Sequence, residues 1–426
     1  MRNSEKGFAV FQNDSLKERL AAFFAVFDWQ KKGMLIREHS LSPFAKELAL
    51  GVCRRHLLLL YAIKKCARRM PRLEVLCVLE IGIYQLFFME SVPESAAVNT
   101  SVELVRRVGQ GEGSVKLVNG VLRKLVREGL PELPSQNVRK LSLENSVPEW
   151  LVRRLLDFFG KDVAAEIAEE SVERPRQWIR VNVNRISAEK LKAKLGLSGR
   201  IYENRYLEIS EAPNEPHLGE LLKGEAFAQG FFSVQNPAAY EVVKRLDVQE
   251  NSSVWDACAA PGGKTALIAE MFPAAKILAS DVSAERLRSM EDLHRRLNLQ
   301  NVRVQALDVL ASDFDKKFDR ILLDVPCSNM GVFSRRPEAK YRLTPEDFKT
   351  LPEIQFRILE KASGALKEGG VLVYATCSPD RVETDWVVER FLTKYSDYEK
   401  AGDVFRIGKN PFGLDRFFAL AIRRVK

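Results

Sequence analysis

Two cysteines stand just beyond apolar runs that read as buried strands: Cys327 in Asp324-Val-Pro-Cys-Ser-Asn-Met-Gly331 and Cys377 in Tyr374-Ala-Thr-Cys-Ser378. A lone cysteine at such a place is as readily a small buried hydrophobe as a nucleophile. Both of these lie at the edge of a sheet where ligands bind, so the pair calls for a chemical reading. A third feature lies upstream, Val254-Trp-Asp-Ala-Cys-Ala-Ala-Pro-Gly-Gly-Lys-Thr265, followed at once by an apolar helical pattern. It reads as strand, tight loop and helix. Small residues there let backbone N–H groups and a helix N-terminus approach a ligand, expected to be a nucleoside-bearing cofactor, although an isolated Gly-Gly loop is also an ordinary turn. The dinucleotide fingerprint G-x-G-x-x-G is absent from the sequence.

Four acidic residues close expected strands: Asp256, Asp281, Asp308 and Asp324. Each alone is most simply a helix N-cap. Aligned on one sheet edge they also read as ligands, with Asp281 accepting from both hydroxyls of a ribose and Asp308 from an adenine amino group. The strands that carry them are expected at 253–256, 276–281, 303–308 and 320–325, with others at 371–376 and 417–422. Helices expected at 284–297, 345–366 and 383–395 fill the crossovers, so residues 236–426 form a Rossmann-like α/β domain on a mostly parallel sheet. Residues 1–140 have a different pattern. Leu16, Leu20, Phe23, Phe24 and Phe27 recur at helical spacing, Ser42-Pro43 has N-cap and N1 chemistry, and further helices are expected at 72–89, 97–108 and 115–128. That is an all-α domain. Between the two, residues 141–235 read as a small α/β module with helices at 150–159 and 163–173, a strand over 177–183 and an extended piece at 206–209.

The 426 residues exceed one ordinary domain, and 46% hydrophobic with 29% charged residues is a globular composition. The longest apolar run, 57–63, is far short of a bilayer span, and the first seven residues lack the apolar core of a signal peptide. A cytoplasmic chain without membrane association is expected. The net charge of +9 is uneven: residues 1–140 hold 23 Lys and Arg against 14 Asp and Glu, and the remainder holds 43 of each. Clusters at Arg54-Arg55, Lys64-Lys65, Arg68-Arg69 and Arg123-Lys124 therefore mark the first domain for contact with nucleic-acid phosphates, where the alternative is a solvated helix face. Six cysteines without a C-x-x-C pair, and four histidines, give no metal site and no disulfide framework.

On these motifs the chain resembles the Sun/Fmu (RsmB) family of S-adenosylmethionine-dependent RNA cytosine-5 methyltransferases, over nearly its whole length. Cys258-Ala-Ala-Pro-Gly-Gly-Lys264 is similar to the family's cofactor loop, Asp324-Val-Pro-Cys327 to its Asp-Ala-Pro-Cys motif, and Tyr374-Ala-Thr-Cys-Ser378 to its second cysteine motif. Ala97-Val-Asn-Thr-Ser-Val-Glu-Leu104 and Val118-Asn-Gly-Val-Leu-Arg-Lys124 resemble the NusB-like RNA-binding domain of the bacterial 16S rRNA branch, and Arg180-Val-Asn182 matches the middle segment. The resemblance implies S-adenosylmethionine held by Cys258, Ala259, Ala260, Pro261, Gly262, Gly263 and Lys264, with Asp281 on the ribose, Asp308 on the adenine side, Asp324 near the methionine end, and Arg286. Lys264 is left between the cofactor carboxylate and the RNA. The implied partner is 16S rRNA, naked or in a partly assembled small subunit, with the enzyme expected as a monomer.

Methylation of cytosine C5 needs prior thiolate addition at C6, because C5 is a poor nucleophile. The resemblance makes Cys377 that nucleophile, Asp324 the group that hydrogen-bonds N3 and the exocyclic amine, and Cys327 the release residue, as a base or as an aid to elimination. Cys258 is expected only to line the pocket. Val325 stands where the family has Ala, Thr384 where Asn is common and Arg416 where Gly is usual. Two rivals remain: an amino-methyltransferase, which has no use for Cys377, and a non-catalytic RNA-binding or antitermination factor, which leaves the cofactor loop without a purpose.

Overall fold

The computed structural model describes residues 2–210, 212, 214–312 and 317–426, with side chains from Ser15 onward. It divides into two units, residues 1–174 with 333–342, and residues 175–332 with 343–426.

The first unit is helical: α1 Arg2–Lys32, α2 Pro43–Cys66, α3 Leu73–Phe88, α4 Glu94–Arg107, α5 Glu112–Glu128, α6 Asn137–Glu144 and α7 Glu149–Glu170. Apolar residues of the first five helices meet in one core, with Phe23, Trp29, Leu48, Val52, Val78, Leu104 and Leu122, and α3 is buried on all sides over 77–85. Ser42 caps α2 as its type predicts, its hydroxyl accepting from Ala45 N at 3.2 Å with Pro43 at N1. The segments expected as helices at 150–159 and 163–173 fall within this unit. They are the halves of α7, broken at Gly160, whose φ of +73° only glycine adopts readily. Of the basic clusters, Lys64, Lys65, Arg68, Arg69 and Arg123 are exposed. Arg54 is not available to phosphates, because it is buried and donates to Ser334 O at 3.2 Å.

Segment 333–342 comes from sequence just beyond Cys327, yet it packs within this helical unit. Glu338 accepts from Ile36 N at 3.1 Å, and the Tyr341 hydroxyl lies 3.0 Å from the carbonyls of Cys53 and Ser146. The Lys340 ammonium is fully buried, its donors facing the carbonyls of Arg54 at 3.2 Å and Asn145 at 3.4 Å and the Ser171 hydroxyl at 3.4 Å.

The second unit holds two sheets. β1 Gln177–Val181, β2 Ile201–Tyr202, β3 Tyr206–Ile209 and β4 Phe232–Val234 form an antiparallel sheet in the order β2-β3-β1-β4. The larger sheet comprises β5 Ser253–Asp256, β6 Lys276–Asp281, β7 Val302–Ala306, β8 Phe318–Asp324, β9 Leu366–Thr376, β10 Tyr398–Lys400, β11 Phe405–Ile407 and β12 Phe417–Arg424. Its order is β10-β12-β9-β8-β5-β6-β7, with β11 also paired to β12. Strands β5 to β9 run parallel, and β12 pairs antiparallel with β9. The chain turns outward in both directions from β5, so β5 and β8 flank the switch point where α/β sheets bind ligands. No helix among the described residues is long and apolar enough to cross a membrane.

Burial pushes Lys340 down to about 7 from an ordinary 10.5, so folding releases a proton between those values. The unfolded chain binds more protons there, and stability must rise as pH increases from 7. Between pH 7 and pH 9.5 the helical unit of the wild type should gain up to about 3 kcal/mol relative to Lys340→Met. Denaturant unfolding of both proteins at the two pH values checks this, and parallel pH profiles would contradict it.

Candidate active site

Strands β8 and β9 are parallel neighbours in which Asp324 lies opposite Ala375. Three residues beyond the one and two beyond the other, the chain places Cys327 and Cys377 with their sulfurs 3.0 Å apart. Both thiols are half-buried. Asn329 sits between their loops, its Nδ2 donating to Cys327 O at 2.9 Å and its Oδ1 lying 3.7 Å from the Cys377 sulfur. Gly331 donates to Cys377 O at 2.8 Å and accepts from Arg416 N at 3.2 Å. A Cβ on Gly331 would stand 2.4 Å from Cys377 O and 2.5 Å from Arg416 O, so only glycine lets the two loops close on each other.

The cofactor loop follows β5 and enters helix Gly263–Met271, whose N-terminus has no side-chain cap. Asp281 is buried at the end of β6, with Oδ2 accepting from Ala260 N at 3.2 Å and Oδ1 from Ser283 N at 3.0 Å. Arg286 lies 3.5 Å from the same carboxylate and donates to Ala260 O, so it braces the loop rather than standing on an idle surface. Ala259 N donates to Ser280 O at 2.8 Å, and the Ala260–Pro261 bond is cis. Gly262 has φ +94°, and a Cβ there would meet Met290 Cγ at 2.5 Å. Its smallness therefore serves the packing against helix 284–297, beside the ligand access and the tight turn that the sequence suggested.

Lys264, ambiguous in the sequence, reaches across the switch point to Asp324, with Nζ to Oδ2 at 2.6 Å, and lies 4.8 Å from the centre of the Phe417 ring. Burial lowers its pKa, but the Asp324 carboxylate outweighs burial, with Asp256 and Cys377 adding to the same side, so the ammonium stays charged. Asp256 is the opposite case. Burial raises its carboxyl to about 7, only partly opposed by the Thr265 hydroxyl at 2.6 Å, and its Oδ1 has no hydrogen-bond partner. Cys258 is pushed far up by burial and then by the charges of Asp256, Asp324 and Asp281, which keep it a neutral thiol and a poor nucleophile. Asp308 lies two residues past the end of β7, exposed, with its carboxylate accepting from Leu310 N at 2.9 Å, the turn-capping alternative of the sequence reading.

Val325 points its extra bulk into the apolar cluster of Trp255, Ile321 and Leu323. The Thr384 hydroxyl donates to Asp380 O at 2.9 Å, closing the turn after β9.

Arg180 shows how the smaller sheet supports the cofactor loop. Its guanidinium is buried, donates to Gly263 O at 2.8 Å and Gln235 Oε1 at 2.6 Å, and pairs with buried Glu270 at 3.0 Å. The signal was present in the sequence as one charge among the apolar residues Trp178, Ile179 and Val181 of strand Gln177–Val181.

A mostly parallel sheet with a glycine loop at its switch point and an antiparallel closing strand defines a methyltransferase domain, here in a chain that begins with a helical NusB-type domain. Three family descriptions match: "NusB family" over residues 16–127, "Methyltr_RsmF/B-like, ferredoxin-like domain" over 147–205, and "16S rRNA methyltransferase RsmB/F" over 243–408. The chain is 32% identical over 407 residues to the probable ribosomal RNA small subunit methyltransferase B of Bacillus subtilis, covering 89% of each. It is 35% identical to ribosomal RNA small subunit methyltransferase B of Shewanella oneidensis, covering 74% of this chain and 72% of the relative. Among solved structures, the protein named PH0851 shares the fold with a TM-score of 0.79 at 21% identity, over 96% of this chain and 99% of that one. NSun6 from Pyrococcus horikoshii, solved with SFG, aligns with a TM-score of 0.59 at 24% identity, over 66% of this chain and 98% of that one. The chain belongs to the RsmB/F family of S-adenosylmethionine-dependent rRNA methyltransferases.

Arg180→Ala leaves Glu270 buried and unpaired, and should destabilise the second unit by about 3–5 kcal/mol while weakening cofactor binding. Replacing both partners by Met should recover most of the stability. Thermal melts of the single and double variants test this, and equal losses in both would contradict it.

Proposed function

We propose that this protein methylates C5 of a cytosine in small-subunit ribosomal RNA through a covalent bond between Cys377 and C6. The observation that carries the reading is the placement of two thiols 3.0 Å apart beside the Lys264–Asp324 pair. A single thiol suffices for addition, and an amino-methyltransferase needs none, so a juxtaposed pair fits a reaction that must both form and break a carbon–sulfur bond. The relatives named ribosomal RNA small subunit methyltransferase B support the substrate class, as does the NusB-type domain with its exposed Lys64, Lys65, Arg68 and Arg69.

Lys264 holds a positive charge that acts on the Cys377 sulfur and favours its thiolate. The thiolate adds to C6, and the electrons of the C5–C6 double bond move toward N3 and O2. Asp324 receives the N3 edge and the exocyclic amine, with Lys264 beside it as the proton source that the developing negative charge requires. S-adenosylmethionine, when bound, supplies the electrophilic methyl group for C5. Cys327 then assists removal of the C5 proton, the pair from that C–H bond re-forms the C5–C6 double bond, the C6–S bond breaks with its electrons leaving on the Cys377 sulfur, and N3 returns its proton to Lys264.

The residues around the switch point suit that cofactor. The uncapped N-terminus of helix Gly263–Met271 would face its charged and polar groups, Asp281 its ribose, and the unpartnered Oδ1 of buried Asp256 offers one further polar contact. We assign Asp308 to the adenine side, and divide the chain functionally at 140 and 235 into RNA-binding, linking and catalytic parts.

With labelled S-adenosylmethionine and undermethylated small-subunit rRNA, Cys377→Ala should give no 5-methylcytosine, a loss of at least about 10⁴-fold if covalent catalysis is lost. Cys327→Ala should accumulate a denaturation-resistant protein–RNA adduct. Full cytosine methylation by Cys377→Ala would overturn the assignment of the nucleophile.

A further inference from the structure

Ser328 directly follows Cys327, Ser378 directly follows Cys377, and both serines meet at one carboxylate, that of Glu383. Glu383 Oε1 accepts from Ser328 N at 2.9 Å and Gln355 Nε2 at 2.9 Å, while Oε2 accepts from the hydroxyl of Ser328 at 2.6 Å and from that of Ser378. Gln355 also donates to Pro326 O at 2.9 Å, and the Tyr374 hydroxyl donates to Glu383 O at 2.7 Å. The residue has 0% exposure. A buried carboxylate is tolerated only when hydrogen bonds replace its hydration. Here three of its four donors belong to the two cysteine loops, so satisfying the carboxylate and aligning the thiols are one geometric condition.

From this geometry we infer that Glu383 is a positioning residue that sets the separation of the Cys327 and Cys377 sulfurs for a reaction that uses both. The inference rests on the two-cysteine reaction proposed above. Glu383 does not touch the thiols themselves. It acts through Ser328 and Ser378, each one residue away from a sulfur-bearing residue. Strand pairing brings the loops to the same edge, but it ends at Asp324 and Ala375, short of both cysteines.

Diamide reads the sulfur separation directly: two thiols give up their hydrogens to the diazene, which becomes a hydrazine, and the sulfurs join as a disulfide. In the full-length protein the Cys327–Cys377 disulfide, mapped by peptide mass spectrometry, should close at least about tenfold more slowly in Glu383→Ala than in wild type, with Glu383→Gln intermediate because it keeps one carbonyl acceptor. The kcat should fall in the same order while KM for rRNA is unchanged, and Glu383→Gln, which preserves shape, decides the matter if the alanine variant does not fold. Wild-type closure rates in the variants, or slower closure with undiminished kcat, would overturn the inference. Retained methylation in Cys377→Ala would instead remove the reaction reading while leaving the disulfide comparison intact.

Discussion

Parallel pairing of β8 with β9 is the constraint on which the active site depends. Because Asp324 and Ala375 share a register position, chains that leave the two strands must diverge over the same small patch, and each carries a cysteine within its first three residues. Shifting that register by one residue would turn Cys377 toward the opposite face of the sheet. The register is held by the alternation of buried side chains on both faces of these central strands. Leu323 and Tyr374 pack on one side with Trp255, and Leu322 and Val373 pack on the other with Val254.

The charges around this patch form a graded set. Lys264 pairs with Asp324 and is electrostatically coupled to the Cys377 sulfur, and it spans the switch point between the loop after β5 and the end of β8. Asp256, one strand away, is pushed by burial toward the neutral form. Burial, and after it the nearby carboxylates, keep Cys258 protonated, whereas Cys377 has an ammonium for a neighbour. Burial and neighbouring charge therefore separate Cys258 from Cys377, and thiol identity alone would not.

Much of this was legible in the sequence, because periodicity and turn chemistry are local. The loop at 254–265, the strands bearing Asp256, Asp281 and Asp324, and the all-α pattern of residues 1–140 could all be located from residue types and spacing. What was not legible depends on contacts between residues far apart in the chain. Nothing in the sequence brings Cys327 to 3.0 Å from Cys377, or turns Lys264 toward Asp324. The same limit hid the packing of segment 333–342 among the helices of the first unit. Short strands such as Ile201–Tyr202 and Tyr398–Lys400 carry too few residues for an alternation to register. Asp308 was read from a strand expected to run to its position, but β7 ends at Ala306 and leaves the residue on a turn.

The central claim is that the bond to the RNA base forms at Cys377, with Cys327 acting afterwards. Small-subunit rRNA transcribed with 5-fluorocytidine tests it most directly, because fluorine at C5 cannot be removed as a proton and the adduct cannot be released. After incubation with S-adenosylmethionine and digestion, mass spectrometry should find the modified nucleotide on the peptide that carries Cys377. A nucleotide on Cys327, or no adduct on either cysteine, would contradict the claim.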